Sequence, residues 1–139
     1  MEFSKQYLYK RIVLAKAFID ANYQTNINLT QIISEAHFSK YHFIRLFKSV
    51  YGLSPHQYLM QKRVRQAKME LKENDNSILD VCFNVGFQSH SSFTHLFKRQ
   101  TNKTPLQYRY QAKANKIKGQ KEPISLVPGC YALKHFIPE

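Results

Sequence analysis

Side chains able to contact nucleic-acid bases recur at two places in the chain, in residues 40–48 and 90–98. Arginine can form two hydrogen bonds with a guanine edge, Ser and Thr can bond base edges, and aliphatic groups can meet the thymine methyl. Histidine can donate or accept a hydrogen bond. The candidate base-contacting residues are Tyr41, Ile44, Arg45, His90, Ser91, Thr94 and His95.

Cationic side chains accompany both groups and predict contacts with DNA phosphates, which fix a protein's position on the duplex. The candidate phosphate-contacting residues are Lys40, Lys48, Lys98, Arg99 and Lys103. The alternative interpretation is a merely solvated surface. Ile44 and Tyr41, expected to be exposed among charges, argue against it, because a solvated face needs neither.

Both groups belong to an internal repeat. FIRLFKSVYGLSPHQYL (43–59) aligns with FTHLFKRQTNKTPLQYR (93–109) at a constant offset of 50 residues. Upstream the offset becomes 49, and the one-residue change falls near Gln88. Such self-similarity indicates two copies of one supersecondary unit.

Each copy is predicted to form a short helix, a tight turn and a second helix. Asn28 and Ser77 are suitable N-caps for the first helices, and Ser39 and Ser89 for the second. Gly86 falls at the turn of the second copy, where a positive φ is often required. In a helix-turn-helix the second helix enters the major groove, so the recognition helices are expected at about 39–50 and 89–100.

Three further helices are predicted, which makes the chain all-α with about seven helices. Apolar spacing predicts one over about 5–21. Proline at the first helical position begins two others, over 55–71 and from 105 to about 116. Strand-like alternation is found only in the tail, at 124–127 and 131–136.

Apolar periodicity also predicts which helix faces are buried. The residues expected to point inward are Leu8, Ile12, Leu14, Ala15, Phe18 and Ile19 in the first helix, and Phe43, Leu46, Phe47 and Val50 in the first recognition helix. Most of the cations of the helix over 55–71 (Lys62, Arg63, Arg65 and Lys68) are assigned to solvent, and about a third of them are expected to contact the DNA backbone. That helix spans about 25 Å, of the order of one DNA turn of roughly 34 Å.

Composition narrows the class of protein. The chain has 139 residues and a net charge of +12, with 43% hydrophobic residues, which indicates a folded basic domain with a polyanionic partner. No apolar stretch is long enough for a membrane span or a signal peptide, so a cytoplasmic protein without a membrane partner is expected. Cys82 and Cys130 are too few for a disulfide framework or a structural zinc site, and no metal or cofactor is expected.

The sequence also bears on two other classes of protein. An enzyme is not expected, because no nucleophile, base and orienting group recur at a recognisable spacing. A basic helical module that binds RNA or an acidic partner remains the alternative. RNA readers usually expose aromatic stacking platforms, whereas only Tyr41 is aromatic on the predicted groove face.

Residues 29–109 resemble the DNA-binding domain of the AraC/XylS family of bacterial transcription regulators. The most specific part runs from Ile78 to Tyr108, with Val-Gly-Phe at 85–87 and Thr-Pro-x-x-Tyr-Arg at 104–109. The resemblance implies seven helices, with two helix-turn-helix units joined by a long linker helix, and the base-contacting residues named above. His37 and Asn102 stand where glycine is common, and Phe83 where a small residue is expected.

The resemblance also implies double-stranded promoter DNA as the partner, with RNA polymerase as a second partner if the protein is an activator. The expected organisation is an N-terminal helix plus first helix-turn-helix (1–53), the linker helix (54–74), the second helix-turn-helix plus terminal helix (75–116), and a tail of unassigned structure (117–139). The chain has no room for an effector domain, so either a stand-alone monomer or the DNA-binding part of a larger regulator is expected.

Overall fold

The computed structural model describes residues 5–30, 33 and 39–121 of the chain. In that part the chain is helical and contains no strand, which confirms the all-α class. The helices are α1 (Lys5–Asn22), α2 (Lys40–Tyr51), α3 (Pro55–Glu73), α4 (Ile78–Asn84), α5 (His90–Thr101) and α6 (Pro105–Lys121). None of these helices combines the length and apolarity needed to cross a membrane.

Some predictions fall on residues outside this part. Of the expected first helix of the first unit, only Leu29, Thr30 and Ile33 are described, and all three are helical. The structure therefore describes six of the seven expected helices in full. His37, Cys130 and the two strand-like segments of the tail lie outside the described residues.

Side-chain caps determine where the described helices begin. Ser39, Ser77 and Ser89 accept hydrogen bonds from the backbone N–H three residues on, at 3.1, 3.0 and 3.3 Å. Before α3 the bonds are reciprocal, because Ser54 Oγ accepts from the Gln57 N–H and Gln57 Oε1 accepts from the Ser54 N–H. Thr104 and Gln107 repeat this arrangement before α6. These contacts satisfy N–H groups that have no partner within the helix.

Left-handed residues end both recognition helices. Gly52 follows α2 with φ 80°, and Asn102 follows α5 with φ 62°. Their N–H groups donate to the carbonyls of Lys48 and Lys98 at 2.7 and 2.8 Å. Asparagine tolerates this conformation better than most residues, which explains how Asn102 can replace the common glycine.

Two hydrophobic cores lie side by side, and α3 contributes to both. The N-terminal core consists of Ile12, Ala15, Ile19, Ile33, Phe43, Phe47 and Leu59. The C-terminal core consists of Val64, Ala67, Leu71, Val81, Cys82, Val85, Phe87, Phe93 and Phe97. Each recognition helix is thus anchored by two phenylalanines, and α3 is the structural link between the two units.

Arg63 of α3 joins the units and is not one of the solvated cations expected on this helix. Only 7% of its surface is exposed. Its Nε donates to the Tyr23 carbonyl at 2.8 Å, its Nη2 donates to the Thr25 carbonyl at 2.9 Å, and its guanidinium lies 5.8 Å from the centre of the Phe87 ring. The carbonyls beyond the end of α1 lack helical partners, and a guanidinium with five donors satisfies them.

Gly86 lies close to the first unit and to Arg63. Its φ is +100°, as predicted for this turn, and a Cβ here would lie 2.3 Å from the Tyr23 carbonyl oxygen and 2.8 Å from Arg63 Nε. The position therefore requires glycine both for its conformation and for its lack of a side chain.

Asp20 links α1 to α3. Tyr58 donates to Asp20 Oδ1 at 2.6 Å, Lys16 donates to Oδ2 at 2.9 Å, and Lys62 Nζ lies 3.8 Å from Oδ1. Burial by itself would raise the pKa of Asp20, but the hydrogen bonds from Tyr58 and Lys16 outweigh it and leave that pKa below its usual value. The carboxylate is therefore favoured in the folded state.

The predicted apolar faces were too wide. Leu14 and Phe18 are 49% and 42% exposed, because α1 buries only the narrower stripe of Ile12, Ala15 and Ile19. Val50 is 40% exposed, since the ring of Tyr51, 4.8 Å from that of Phe47, packs against this end of the core instead. The terminal helix also continues to Lys121, five residues beyond its predicted end.

Candidate nucleic-acid interface

The first recognition helix, α2, presents an exposed polar face. Phe43 and Phe47 are buried, and their rings lie 6.3 Å apart. On the opposite side Tyr41 is 77% exposed, and Arg45 is exposed as well. Lys40 and Lys48 are exposed at the two ends of this surface. Four of the residues predicted to contact DNA from this helix therefore have free access to a ligand.

Ile44 is placed differently from expectation. It is half-buried and packs against the N-terminal core, so the prediction of a fully outward side chain was wrong. The reason is its position one residue after Phe43, at the margin between the buried and exposed faces, where an aliphatic side chain gains by turning toward the core.

The second recognition helix, α5, shows the same pattern. Phe93 and Phe97 are fully buried, whereas His90, Ser91 and His95 are exposed. The Ser91 hydroxyl lies 3.0 Å from the Ser89 hydroxyl, the N-cap of this helix. Three predicted base-contacting residues thus share one exposed surface.

Thr94 occupies the position equivalent to Ile44 and is likewise half-buried. Its hydroxyl oxygen is buried and has no hydrogen-bond partner among the described residues. A buried hydroxyl without a partner carries a free-energy cost of about 1–3 kcal/mol. The site therefore offers a polar atom that a ligand or an ordered water molecule can satisfy.

The cations predicted to contact phosphate lie around these faces. Lys98 and Arg99 are exposed in the last turns of α5, and Lys103 is half-buried in the following turn. Neither recognition helix contains an acidic residue. The ion pairs of the described residues lie elsewhere, at Asp20 and Asp75. Both faces are therefore positively charged or neutral polar, as binding to a polyanion requires.

A cleft of about 1110 Å³ lies along α3 and α5. It is lined in part by the cationic residues Arg65 and Lys68 of α3 and Arg99 of α5. The sequence identified Arg99 but did not show which of the α3 cations would leave solvent, because the helical pattern does not reveal which neighbour faces an exposed stripe. An acid-free stretch at 61–69 was the available signal.

Potential metal ligands are dispersed among the described residues. No group of three His, Cys, Asp or Glu side chains lies close enough to hold a metal ion there. Cys82 is fully buried and its Sγ lies 3.6 Å from the Ser89 carbonyl. Burial raises the pKa of this thiol, which disfavours the reactive thiolate.

The chain is similar in sequence to known helix-turn-helix proteins. The family model described as a helix-turn-helix domain matches residues 32–111. The regulator MtrA of Neisseria gonorrhoeae is 39% identical over 82 residues, which cover 59% of this chain and 27% of MtrA. The probable transcription factor PqrA of Proteus vulgaris is 36% identical over 83 residues, 60% of this chain and 68% of PqrA.

A third relative has a second activity. The bifunctional transcriptional activator and DNA repair enzyme AdaA of Bacillus subtilis is 33% identical over 100 residues, 72% of this chain and 47% of AdaA. The chain thus spans about a quarter of MtrA and about half of AdaA.

Among solved structures, the DNA-binding domain of AdpA in complex with a target DNA has a TM-score of 0.70 and 28% identity. The match covers 75% of this chain and 94% of that one. The described helices and the family match lead to one conclusion: the chain belongs to the AraC/XylS family of helix-turn-helix transcription regulators.

Proposed function

We propose that this protein regulates transcription by binding a specific site in double-stranded DNA, with α2 and α5 in two successive major-groove segments. The observation that carries the proposal is the matched exposure of the two recognition helices. Equivalent positions of the repeat are exposed in both helices, and both faces lack acidic residues. Two such surfaces joined by one continuous helix suit a single duplex bound at two places.

Base contacts are assigned to the exposed positions of each helix. Arg45 forms two hydrogen bonds with a guanine edge. Tyr41 is placed beside Arg45 on the same face of α2. In α5, His90, Ser91 and His95 bond base edges. Ile44 and the Thr94 methyl approach thymine methyl groups from the margin of the interface, and the Thr94 hydroxyl gains from the base or from a groove water the partner that it lacks in the protein.

Phosphate contacts are assigned to the surrounding cations, Lys40, Lys48, Lys98, Arg99 and Lys103. Lys48 and Lys98 stand at the same position of the repeat, so each unit contributes one equivalent contact. These contacts position each helix on the duplex and supply affinity without sequence preference.

The spacing of the two units supports binding to one face of the duplex. The 19 residues of α3 extend about 28 Å at 1.5 Å per residue, and successive major-groove segments lie roughly 34 Å apart. Arg63 and Gly86 fix the units relative to each other through Tyr23. One copy of the chain can therefore occupy an asymmetric site. If the protein is an activator, RNA polymerase is the second partner that we propose.

Competition binding at two salt concentrations tests this function. The specific probe is a duplex that the protein selects from a random library. It is expected to compete at least a hundredfold better than a random duplex, and a random duplex better than single-stranded RNA of equal length. Affinity for all duplexes falls as salt rises, because counterions are released on binding. Equal competition by RNA and by both duplexes would reject sequence-specific duplex binding and favour a general polyanion-binding module.

A further inference from the structure

The cleft between α3 and α5 carries a further inference, which rests on the proposed function. We infer that this cleft is a second DNA contact, which holds the sugar–phosphate strand between the two major-groove segments. Arg65 and Lys68 of α3 are its new phosphate-binding residues, opposite Arg99 of α5.

The position of the cleft supports this occupant. Its α5 wall includes Ser92, Leu96, Arg99 and Gln100, which lie at helical spacing. This stripe is rotated by one residue, or about 100°, from Ser91 and His95 on the proposed base-contacting face. Its other wall is α3, the helix that joins the units. With both recognition helices in the duplex as proposed, we expect the backbone between the two major-groove segments to pass this cleft.

The charge of the cleft matches a phosphate strand. Its lining contains Arg65, Lys68 and Arg99 together with His56, and no acidic residue. Among the described residues, none of these cations forms an ion pair with a carboxylate. In contrast, Lys62 on the same helix is paired with Asp20. The cleft thus concentrates unneutralised positive charge, which favours an anionic occupant.

Part of the cleft lining is apolar. Met60, Val64, Phe87 and Leu96 contribute to it beside the cations. A sugar–phosphate strand has the complementary pattern, with charged oxygens outside and apolar deoxyribose carbons between them. The volume of about 1110 Å³ lies just above the usual range for small-ligand pockets of about 300–1,000 Å³. An extended strand that passes through fits this cleft better than a small enclosed ligand.

The test compares two double variants of the full chain, and the probe is a 30-base-pair duplex of random sequence. Arg65→Ala/Lys68→Ala removes the cleft cations, and Lys72→Ala/Lys116→Ala removes the same net charge from exposed sites outside it. Loss of two phosphate contacts is expected to reduce the salt slope by about 1.8, and affinity by about thirtyfold at 0.15 M salt. The control pair is expected to leave the slope unchanged. Equal slopes in the parent and the cleft variant would overturn the proposal.

A second measurement locates the contact. In a duplex selected by the parent protein from a random library, single backbone phosphates between the two contacted segments are replaced by neutral methylphosphonates. These replacements are expected to weaken the parent several-fold and to have no further effect on Arg65→Ala/Lys68→Ala. Full additivity of the two losses would place those phosphates elsewhere. If the parent binds no duplex at all, the proposed function itself fails, which is a different outcome from either result.

Discussion

Arg45 and His95 occupy the same position in α2 and α5, yet they offer different chemistry to a ligand. Arg45 carries a fixed cationic fork, whereas a neutral histidine offers one donor and one acceptor. Both side chains are exposed, and neither helix places a carboxylate beside them. The two units are therefore expected to read different bases, and the bound site to be asymmetric.

Arg45→Ala tests base contact at the level of one residue. Loss of a guanine contact with two hydrogen bonds is expected to lower affinity for the selected site by about 1–3 kcal/mol and to relax preference at one base pair. Affinity for a random duplex should change much less. Binding isotherms on site variants at that base pair provide the measurement. Equal losses on both duplexes would reassign Arg45 to a phosphate contact.

Lys98→Ala provides the contrast to Arg45→Ala. Lys98 lies on the second recognition helix and is assigned to phosphate, whereas Arg45 is assigned to a base. Loss of Lys98 is expected to weaken all duplexes alike and to reduce the salt slope by about 0.9. An unchanged slope would count against a phosphate role for Lys98.

Residues that act through their own neighbours in the chain were predictable from the sequence. The caps at Ser39 and Ser89 and the positive φ at Gly86 follow from local chemistry, and the structure has all three. Arg63 was not predictable in this way. Its acceptors are backbone carbonyls 38 and 40 residues away, and carbonyls occur at every residue, so no sequence pattern marks them.

Among the helices, α3 links the two units, since it contributes to both cores, bonds α1 through Tyr58 and bonds the segment after α1 through Arg63. The sequence predicted this helix from its Ser-Pro start and its apolar spacing. It did not predict which stripe of α3 faces the cleft, because that depends on how α5 packs against it. The candidate DNA-contacting surface was thus predicted by residue type, and its boundaries required the structure.

Gly86→Ala tests the close approach between this turn and the segment that follows α1. A Cβ there would overlap the Tyr23 carbonyl, in addition to the conformational cost of a positive φ. Gly52→Ala is the matched control, because Gly52 also has a positive φ but a Cβ would meet nothing within 4 Å. The control is expected to lower the free energy of unfolding by about 1–2 kcal/mol and Gly86→Ala by about 3 kcal/mol or more.

Urea unfolding followed by circular dichroism measures both variants. If the two substitutions cost the same, the contact between Gly86 and Tyr23 contributes nothing to stability, and only backbone conformation matters at this turn.

Asp20→Asn tests the bond between α1 and α3 through its pH dependence. The folded-state pKa of Asp20 lies below its unfolded value of about 3.9, so its stabilisation is present above that value and is lost as pH falls through the folded pKa. The variant is expected to be less stable than the parent by about 1 kcal/mol at pH 7. The difference should shrink below about pH 4.

Urea midpoints from pH 7 to pH 3 provide the measurement, with Glu73→Gln, exposed at the end of α3, as the control. A difference between parent and Asp20→Asn that is constant over this range would show that the carboxylate charge is not involved.

For the whole molecule, the rigidity of the junction is expected to determine the spacing of the bound site. Arg63→Met keeps an unbranched side chain that reaches about as far as Nε and removes the donors to Tyr23 and Thr25. One base pair inserted between the two halves of the selected site shifts the second half by about 3.4 Å along the duplex. On this insertion the parent is expected to lose about tenfold or more in affinity. The Arg63→Met variant is expected to lose clearly less on the same insertion.

The informative quantity is the ratio of the affinity for the selected site to the affinity for the site with the inserted base pair. A variant that is merely less stable loses affinity for both duplexes equally and keeps this ratio. An equal ratio in parent and variant would mean that Arg63 does not determine the spacing.

The central claim is that α2 and α5 read two major-groove segments of one duplex. Selection of bound sequences from a random double-stranded library by the full chain tests it most directly. The expected result is an asymmetric motif with two blocks of preferred bases whose centres lie about 10 base pairs apart, as two helices on one duplex face require. A single short block, or no enrichment over the starting library, would contradict the claim.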